Sequence, residues 1–486
     1  AAANASANSK TVYLRENITI DHQLVINNAK GRTITLNLQK HTLTSTYAIN
    51  AANKNGSYAL VNNTPLTIKN GTFAAGQARA IGALERLTLD GATVTQQLTG
   101  GHACVAFCAD GKSYTIKNST IDGAYAVCSF ADNATITITG STLTGTGNTL
   151  YHNGSNYGLK LTVKDTTITS SGSCGVYISG STSAQSNADN QNGAGKYQQA
   201  TFTGCTISGA MNGVEVKYTD LTLDGCTVSA TAKDASYKQD NNGPAGSGFA
   251  VVSTDNAMNN ATPKPEGTII IKGTGKYTGP VGLGSLKSVK ETYADFADET
   301  IKISGGTFTT EIPAAYCADG FIPTQNEDGT YGVKEGKFVA EVGSTKYETL
   351  AEAVAAAEDG QTVTLLADVA DCGSLTISKN ITLDGNGHTI SGNSSISVNM
   401  PGNAAADVTI RNVNFKDIAN GNKLSAFYFS QVKGKLTITG CTFDSIEYEA
   451  IQVTPMEGAE VNVSNNVFKA KADGTQVRHI HIEIDR

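Results

Sequence analysis

Two stretches carry side chains whose types and spacing suit chemistry. In Val477-Arg-His-Ile-His-Ile-Glu-Ile-Asp485, His479, His481 and Glu483 fall on one face of a strand, with Ile480, Ile482 and Ile484 on the other, because strand side chains alternate. Two imidazoles and a carboxylate at that spacing offer three donors to a transition metal. The plainer reading is a polar outer face on a last strand. Glu215 and Lys217 are likewise two apart. They set a carboxylate beside an ammonium, the raw material of acid–base work on a glycan.

Tyr177, Tyr428 and Gln452 occupy comparable outward places, and with Glu215 and Lys217 they make a candidate face for a glycan or a partner. No carboxylate recurs beside Glu215 in the adjoining units, and Asp384 lies in the turn Leu383-Asp-Gly-Asn-Gly-His388. The sequence therefore predicts a solvated face, no catalytic residue, no cofactor and no resident metal.

The element that must position all of these is a recurring phrase. Leu66-Thr-Ile-Lys-Asn-Gly-Thr-Phe73 is rewritten at Leu87 to Val94, Tyr114 to Ile121, Ile136 to Leu143, Leu161 to Ile168, Ala200 to Ile207, Leu221 to Val228 and Ile301 to Phe308. It returns at Val408 to Phe415, Leu436 to Phe443 and Val461 to Phe468. Starts often lie 21 to 28 residues apart, the mark of a solenoid. Each copy opens with apolar residues alternating with Thr, a half-buried strand. Its corner is always Asn, Gly or Asp (Asn70, Gly91, Asn118, Gly140, Asp165), the residues that tolerate a left-handed backbone.

After the corner comes a small residue and a second short strand. A third apolar pair follows, as in Val105/Phe107, Val176/Ile178 and Phe427/Phe429. Three strands per unit, turning one way, make a rung of a parallel β-helix, and corner Asn residues could bond one another up the stack. An antiparallel β-sandwich is the rival, but one bend at one offset with variable spacing suits the helix better.

With 486 residues, 51 Gly, no Trp and 16% charged residues, the composition fits thin rungs with outer faces of Thr, Asn and Ser. A net charge of −7 without a basic cluster excludes nucleic acid as the main partner. No apolar run is long enough to insert in a membrane. The opening Ala1-Ala-Ala-Asn-Ala-Ser-Ala-Asn8 resembles the remnant of a cleaved signal peptide. The nine cysteines form no framework; Cys205, Cys226 and Cys441 take the small place after the corner, as buried thiols do.

Two helix openings predict two segments, residues 1–335 with long polar loops and residues 336–486. The second is opened by a short capping α-helix near 347–359, where Leu350, Ala353, Val354 and Ala357 share a face and Gly360 follows. No such helix precedes Thr11, Val12, Tyr13 and Leu14. That leaves an uncovered entry edge, to which the terminal strand of Ile480, Ile482 and Ile484 could add in a second copy.

The architecture resembles the pectate-lyase-like right-handed β-helix group over nearly the whole chain. Tyr316-Cys-Ala-Asp-Gly-Phe321, Asp328-Gly-Thr-Tyr331 and Tyr347-Glu-Thr-Leu-Ala-Glu-Ala-Val354 resemble phrases of large secreted or surface repeat proteins of anaerobic bacteria. The resemblance implies the right hand and an extracellular or bacterial cell-surface location. Lyases of the group hold calcium with clustered acids and use Arg or Lys as base, a set not matched here.

The resulting expectation is a non-catalytic, adhesin-like structural protein. It would self-associate head to tail into a fibre and touch glycans or a neighbouring cell. The alternative is a polysaccharide-active lyase or glycosidase, or a lectin, on the same fold.

Overall fold

Alternating apolar residues and threonines make the strands, and one left-handed residue per rung bends them. The computed structural model describes residues 10–28, 31–48, 57–154, 156–179, 198–237, 243–254, 267–284, 301–419, 425–469 and 478–482. The chain is all-β apart from one short α-helix and two single turns of 3-10 helix among these residues. It is a parallel β-helix in two compact units, residues 1–335 and 336–486.

One rung of the first unit runs Ser113–Lys117, Thr120–Gly123 and Tyr125–Ser129; the next runs Thr135–Thr139, Thr142–Gly145 and Leu150–His152. Like strands pair in parallel and in register: Tyr114 with Ile136, Ile121 with Leu143, Val127 with Leu150. Inward residues thus form continuous columns, fully buried at Ile68, Leu89, Ile116, Ile138 and Val163. No rung closes its own core, so stability accrues with stacking. Third strands form a ten-stranded parallel sheet from Leu24–Ile26 to Val281–Gly284.

The corners have positive φ, 57° at Asn70, 60° at Gly91, 49° at Asn118, 56° at Gly140 and 47° at Asp165. At the copy beginning with Ile301 the left-handed residue is Gly306, one place later than the repeat predicts. The expected Asn-to-Asn ladder is corrected. Asn and Asp corners mostly alternate with Gly, and a Cβ on Gly140 would stand 2.9 Å from Asn118 Oδ1, one on Gly204 2.7 Å from Asp165 Oδ1. The carboxamide or carboxylate fills the space the glycine leaves. Among the described residues one corner makes a side-chain link, Asn412 Nδ2 donating to Asp384 Oδ1 at 3.1 Å.

A different ladder explains the small polar residue after each corner. The N–H of Ala92 donates to Ser119 Oγ, that of Ser119 to Ser141 Oγ, and that of Ser141 to Thr166 Oγ1, at 3.1, 3.2 and 3.4 Å. Each hydroxyl donates to a carbonyl of its own strand, Lys117, Thr139 or Lys164, at 2.8 Å. Cys205 and Cys226 continue the pattern, their thiols 3.4 and 3.6 Å from the Thr203 and Asp224 carbonyls. These thiols complete the corner one rung back rather than merely filling space.

The inner column of the third sheet holds a polar interruption. His152 faces the core between Ser129 and Ile178 and is 1% exposed. Neither ring nitrogen has a hydrogen bond of good geometry. Burial pushes its pKa down to about 4, with the Asn156 backbone and Gln198 pulling weakly the other way.

The first unit closes on the hairpin Phe321–Gln325/Tyr331–Glu335, linked to the last rung through Phe308 and Tyr331. The second opens on an α-helix, Leu350–Ala356. Thr349 caps it through a reciprocal box with Glu352, and Gly360, at φ 82°, ends the segment. Leu350, Ala353 and Val354 are buried against the strands Ala340–Val342 and Thr362–Leu365, so the helix covers the first parallel strand as predicted. The long loops of the first unit fall largely outside the described residues.

Candidate functional site

Register lines up the outward residues of the third sheet in one row: Gly82, Ala106, Cys128, Tyr151, Tyr177, Glu215, Val252. Period-two alternation sends them to the outer face, yet one end of the row is covered by a crossing segment and the other by side chains.

Tyr177, Glu215 and Lys217 lie at the covered end, and the solvated face predicted for them is corrected: all three are buried. Residues 243–247 cross over them as a strap. Tyr177 Oη and Lys217 Nζ donate to the Gly243 carbonyl at 2.9 and 3.1 Å. The Glu215 carboxylate accepts from the N–H groups of Ala245 and Gly246, from Thr254 Oγ1 and from Asn212 Nδ2, at 2.7, 3.1, 2.9 and 2.8 Å. Burial raises its pKa, while Lys217 and these donors hold it down. Four donors on one carboxylate describe an anchor for the strap. Period-two reasoning could not see a non-repeating segment folding across the face.

Nearer the entry Gly82, Ala106 and Cys128 are themselves buried, under Tyr58 and the half-buried Tyr125 and Tyr151. Tyr58 lies flat on Gly82, where a Cβ would meet the ring at 2.5 Å, so only glycine admits it. The Arg79 guanidinium stands 5.6 Å over that ring and brings Nη2 to 3.4 Å from His102 Nδ1. Arg79 Nε is buried without a hydrogen bond, so the guanidinium is placed by packing. Burial, and then the Arg79 charge, lower the His102 pKa, which keeps the imidazole neutral at neutral pH. Both side chains are part-exposed.

Beside them run aromatic rings: Tyr125 and Tyr151 at 5.9 Å, Tyr151 and Tyr177 stacked at 5.7 Å, and Phe130 edge-on to Tyr151. Burial raises the Tyr125 pKa and pushes that of Tyr151 up to about 12, so both hydroxyls stay protonated. A guanidinium, a neutral imidazole and phenols, all half-buried on one face, can bind an anion, accept a proton and donate one.

Arg79 and His102 were not singled out from the sequence. The signal was there, since each stands two or three residues before its third-strand apolar pair (Ile81/Ala83 and Val105/Phe107), so stacking must bring them together.

In the second unit Ser397, Tyr428, Gln452 and His481 stand on successive rungs of one outward line. Tyr428 and Gln452 are thus brought together, in a unit separate from Tyr177, Glu215 and Lys217. Glu449, also not singled out, is buried with Oε1 3.1 Å from His481 Nδ1. Glu483 and Ile484 lie outside the described residues.

No protein-family model matches the chain, and no curated protein does. Among solved structures it is similar to the PL6-family alginate lyase AlyGC, at TM-score 0.26 and 11% identity over 98% of this chain and 88% of that one. A point mutant of the same enzyme gives 0.28 and 11% over 96% and 87%. The likeness is one of fold.

The expectation of a non-catalytic, adhesin-like fibre subunit is corrected. The two solved structures named above are both of an alginate lyase. The strand expected to be donated, with Ile480 and Ile482, is the last rung of its own unit, paired with Ile451 and Val453, and both isoleucines are exposed. At the other end Thr11, Val12 and Tyr13 pair on one side with Thr35, Leu36 and Asn37; Leu14 is buried and Tyr13 exposed.

Proposed function

We propose that the chain acts on polysaccharides as a β-eliminating lyase of uronate-containing glycans, with its reaction centre at Arg79 and His102 in the segment 1–335. The observation that carries this reading is the guanidinium held 3.4 Å from a neutral imidazole on a part-exposed, aromatic-lined face. Elimination needs the sugar carboxylate neutralised, so that the proton on the adjacent carbon becomes acidic, and a base to take it. Arg79 is the cation for the carboxylate. His102 Nδ1 is the base.

In the resting protein the guanidinium caps that lone pair; a uronate that draws the guanidinium to itself uncovers the base. The proton passes to Nδ1, the carbon–carbon double bond forms, and the C4–oxygen bond breaks. The departing oxygen takes a proton from a phenol, with Tyr125 the candidate, since its hydroxyl would stand 3.7 Å from a Cβ on Gly101, next to His102. Tyr151 and Phe130 supply apolar surface for the neighbouring sugar. We place the protein outside the cell or on a bacterial surface, where such glycans are met.

The test is incubation with polymannuronate, polyguluronate, polygalacturonate and a neutral glucan, following the ultraviolet absorbance of the unsaturated product. Product from at least one uronate is expected, falling about 100-fold or more in His102→Gln and in Arg79→Gln. Product formation untouched by both substitutions, or none from any uronate, rejects the proposal.

A further inference from the structure

We propose that Cys205 and Cys226 close a disulfide between consecutive rungs of the first unit when the chain meets a thiol-oxidising environment. Register brings the two together. Thr203 pairs with Asp224 before the corner and Thr206 with Thr227 after it, and the corners themselves, Gly204 and Gly225, both have φ 61°. The backbone is bonded through the bend. The Gly204 N–H donates to the Asp224 carbonyl at 2.9 Å and the Thr227 N–H to that of Cys205 at 2.8 Å. Cys205 therefore lies over Cys226 at the strand spacing of about 4.8 Å, inside the ~4.4–6.8 Å between Cα atoms that a disulfide spans.

Both side chains turn into the core and are buried, so their Cβ bonds run side by side rather than apart. A hydrogen bond between the two thiols lowers the Cys226 pKa against the pull of burial, and together with burial it raises that of Cys205. Cys226 is thus the thiol that ionises first. Other cysteines are not so placed. Register sets Cys128 against Ala106, two residues from both Cys104 and Cys108, a diagonal of about 8 Å between Cα atoms that a disulfide does not reach. Among the described residues no other two cysteines share a column on adjoining rungs.

The oxidant is a small disulfide such as oxidised glutathione. The Cys226 thiolate attacks one of its sulfurs and expels a glutathione thiolate. The Cys205 thiol then gives up its proton and attacks the Cys226 sulfur, expelling the second. Two protein thiols are oxidised, one disulfide is reduced, and the two protons leave on the two glutathione thiols. Both protein sulfurs keep lone pairs for the corner ladder, the Thr166 N–H at Cys205 and the Cys205 N–H at Cys226.

The bond fastens a rung that is otherwise interrupted. After Thr227–Ala230 the chain runs out through the strap of residues 243–247 and returns as Val251–Thr254. The Cys205 rung continues into Val214–Val216, which carries Glu215, the anchor of that strap. A cross-link at the corner holds the two rungs together across the excursion and restricts the unfolded chain.

The test equilibrates the full chain in a glutathione redox buffer set to the oxidising poise that secreted proteins meet. Remaining thiols are then alkylated in denaturant, and tryptic peptides are mapped by mass spectrometry. The peptide carrying Cys205 is expected to be joined to that carrying Cys226, two of the nine cysteines should escape alkylation, and dithiothreitol should restore both. Urea unfolding, read by hydrogen exchange in Gln198–Thr203 and Thr219–Asp224, should move to higher urea on oxidation of the native chain. It should not move in Cys226→Ser, which keeps an acceptor at the corner. Full alkylation of both cysteines after the oxidising buffer, or their joining to other cysteines of the chain, would overturn the proposal. If Cys226→Ser fails to fold, the peptide map of the native chain decides alone.

Discussion

His152 makes the first unit acid-sensitive, in a pH window set by its own burial. An unfolded histidine titrates near 6.5, whereas burial in the core takes the folded residue down to about 4. Between those values the unfolded chain binds the proton and the folded chain does not, so stability falls as pH falls. The full gap is worth about 3 kcal/mol, reached below pH ~4, and about 2 kcal/mol is already lost on going from pH ~7.5 to pH ~5.

Other groups act elsewhere or differently. Glu85, Asp368 and Asp384 have lowered pKa values and lose their contributions only as pH drops through the carboxylate range. Glu215, whose pKa is raised, works in the opposite sense. His102 shares the direction of His152 but is part-exposed.

The perturbation is therefore His152→Leu, which matches the inward Leu150 beside it and removes two buried nitrogens without hydrogen bonds. Urea unfolding at a series of pH values, read by hydrogen exchange in Leu150–His152 so that the first unit is followed by itself, should show the native slope between pH ~7.5 and pH ~5. In the variant that slope should be flatter by about 2 kcal/mol. Stability at neutral pH should be at or above that of the native chain. Superimposable pH profiles for the two proteins would refute the reasoning.

Two further expectations follow from the corners and the strap. Ser141→Ala removes the acceptor for the Ser119 N–H and should cost about 1 kcal/mol in urea unfolding, while Cys226→Ser, which keeps an acceptor in the same ladder, should cost less than Cys226→Ala; the reverse order would count against the ladder. Glu215→Gln puts an amide donor among four donors and leaves Lys217 without its buried counter-charge, at about 3–5 kcal/mol. Amide exchange at Ala245 and Gly246 should rise in that variant while the strands Gln198–Thr203 and Thr219–Asp224 keep their protection, and unchanged exchange would mean the carboxylate does not hold the strap.

The rungs were legible in the sequence because each applies the same local rule. Alternation gives the strand, a left-handed residue gives the bend, and one offset repeats from Leu66 to Phe468. The capping helix was legible for a similar reason, since Thr349 and Glu352 are spaced to satisfy the helix start from within. What escaped depends on contacts no repeat encodes.

Glu215 has outward parity, but the strap that buries it comes from residues 243–247, outside the repeating pattern. Arg79 and His102 stand 23 residues apart and meet only because one rung lies over the next. The Asn corners looked like a column of mutual hydrogen bonds, yet steric alternation with glycine decided their packing. Nothing in the spacing of the terminal strand says that Ile451 and Val453 lie on one side of its isoleucines, whose other side is exposed.

The relay of corner hydroxyls gives the stack a direction. Each bend has an amide whose partner is brought by the layer after it, so no layer is finished until its successor arrives. Trimming from the start strips a hydroxyl of its visitor, and water can replace that cheaply. Trimming from the end leaves an amide facing the core with nothing to receive it. A polypeptide made start to finish is therefore always unfinished at its growing tip, and shortened versions should tolerate losses at the front better than at the back.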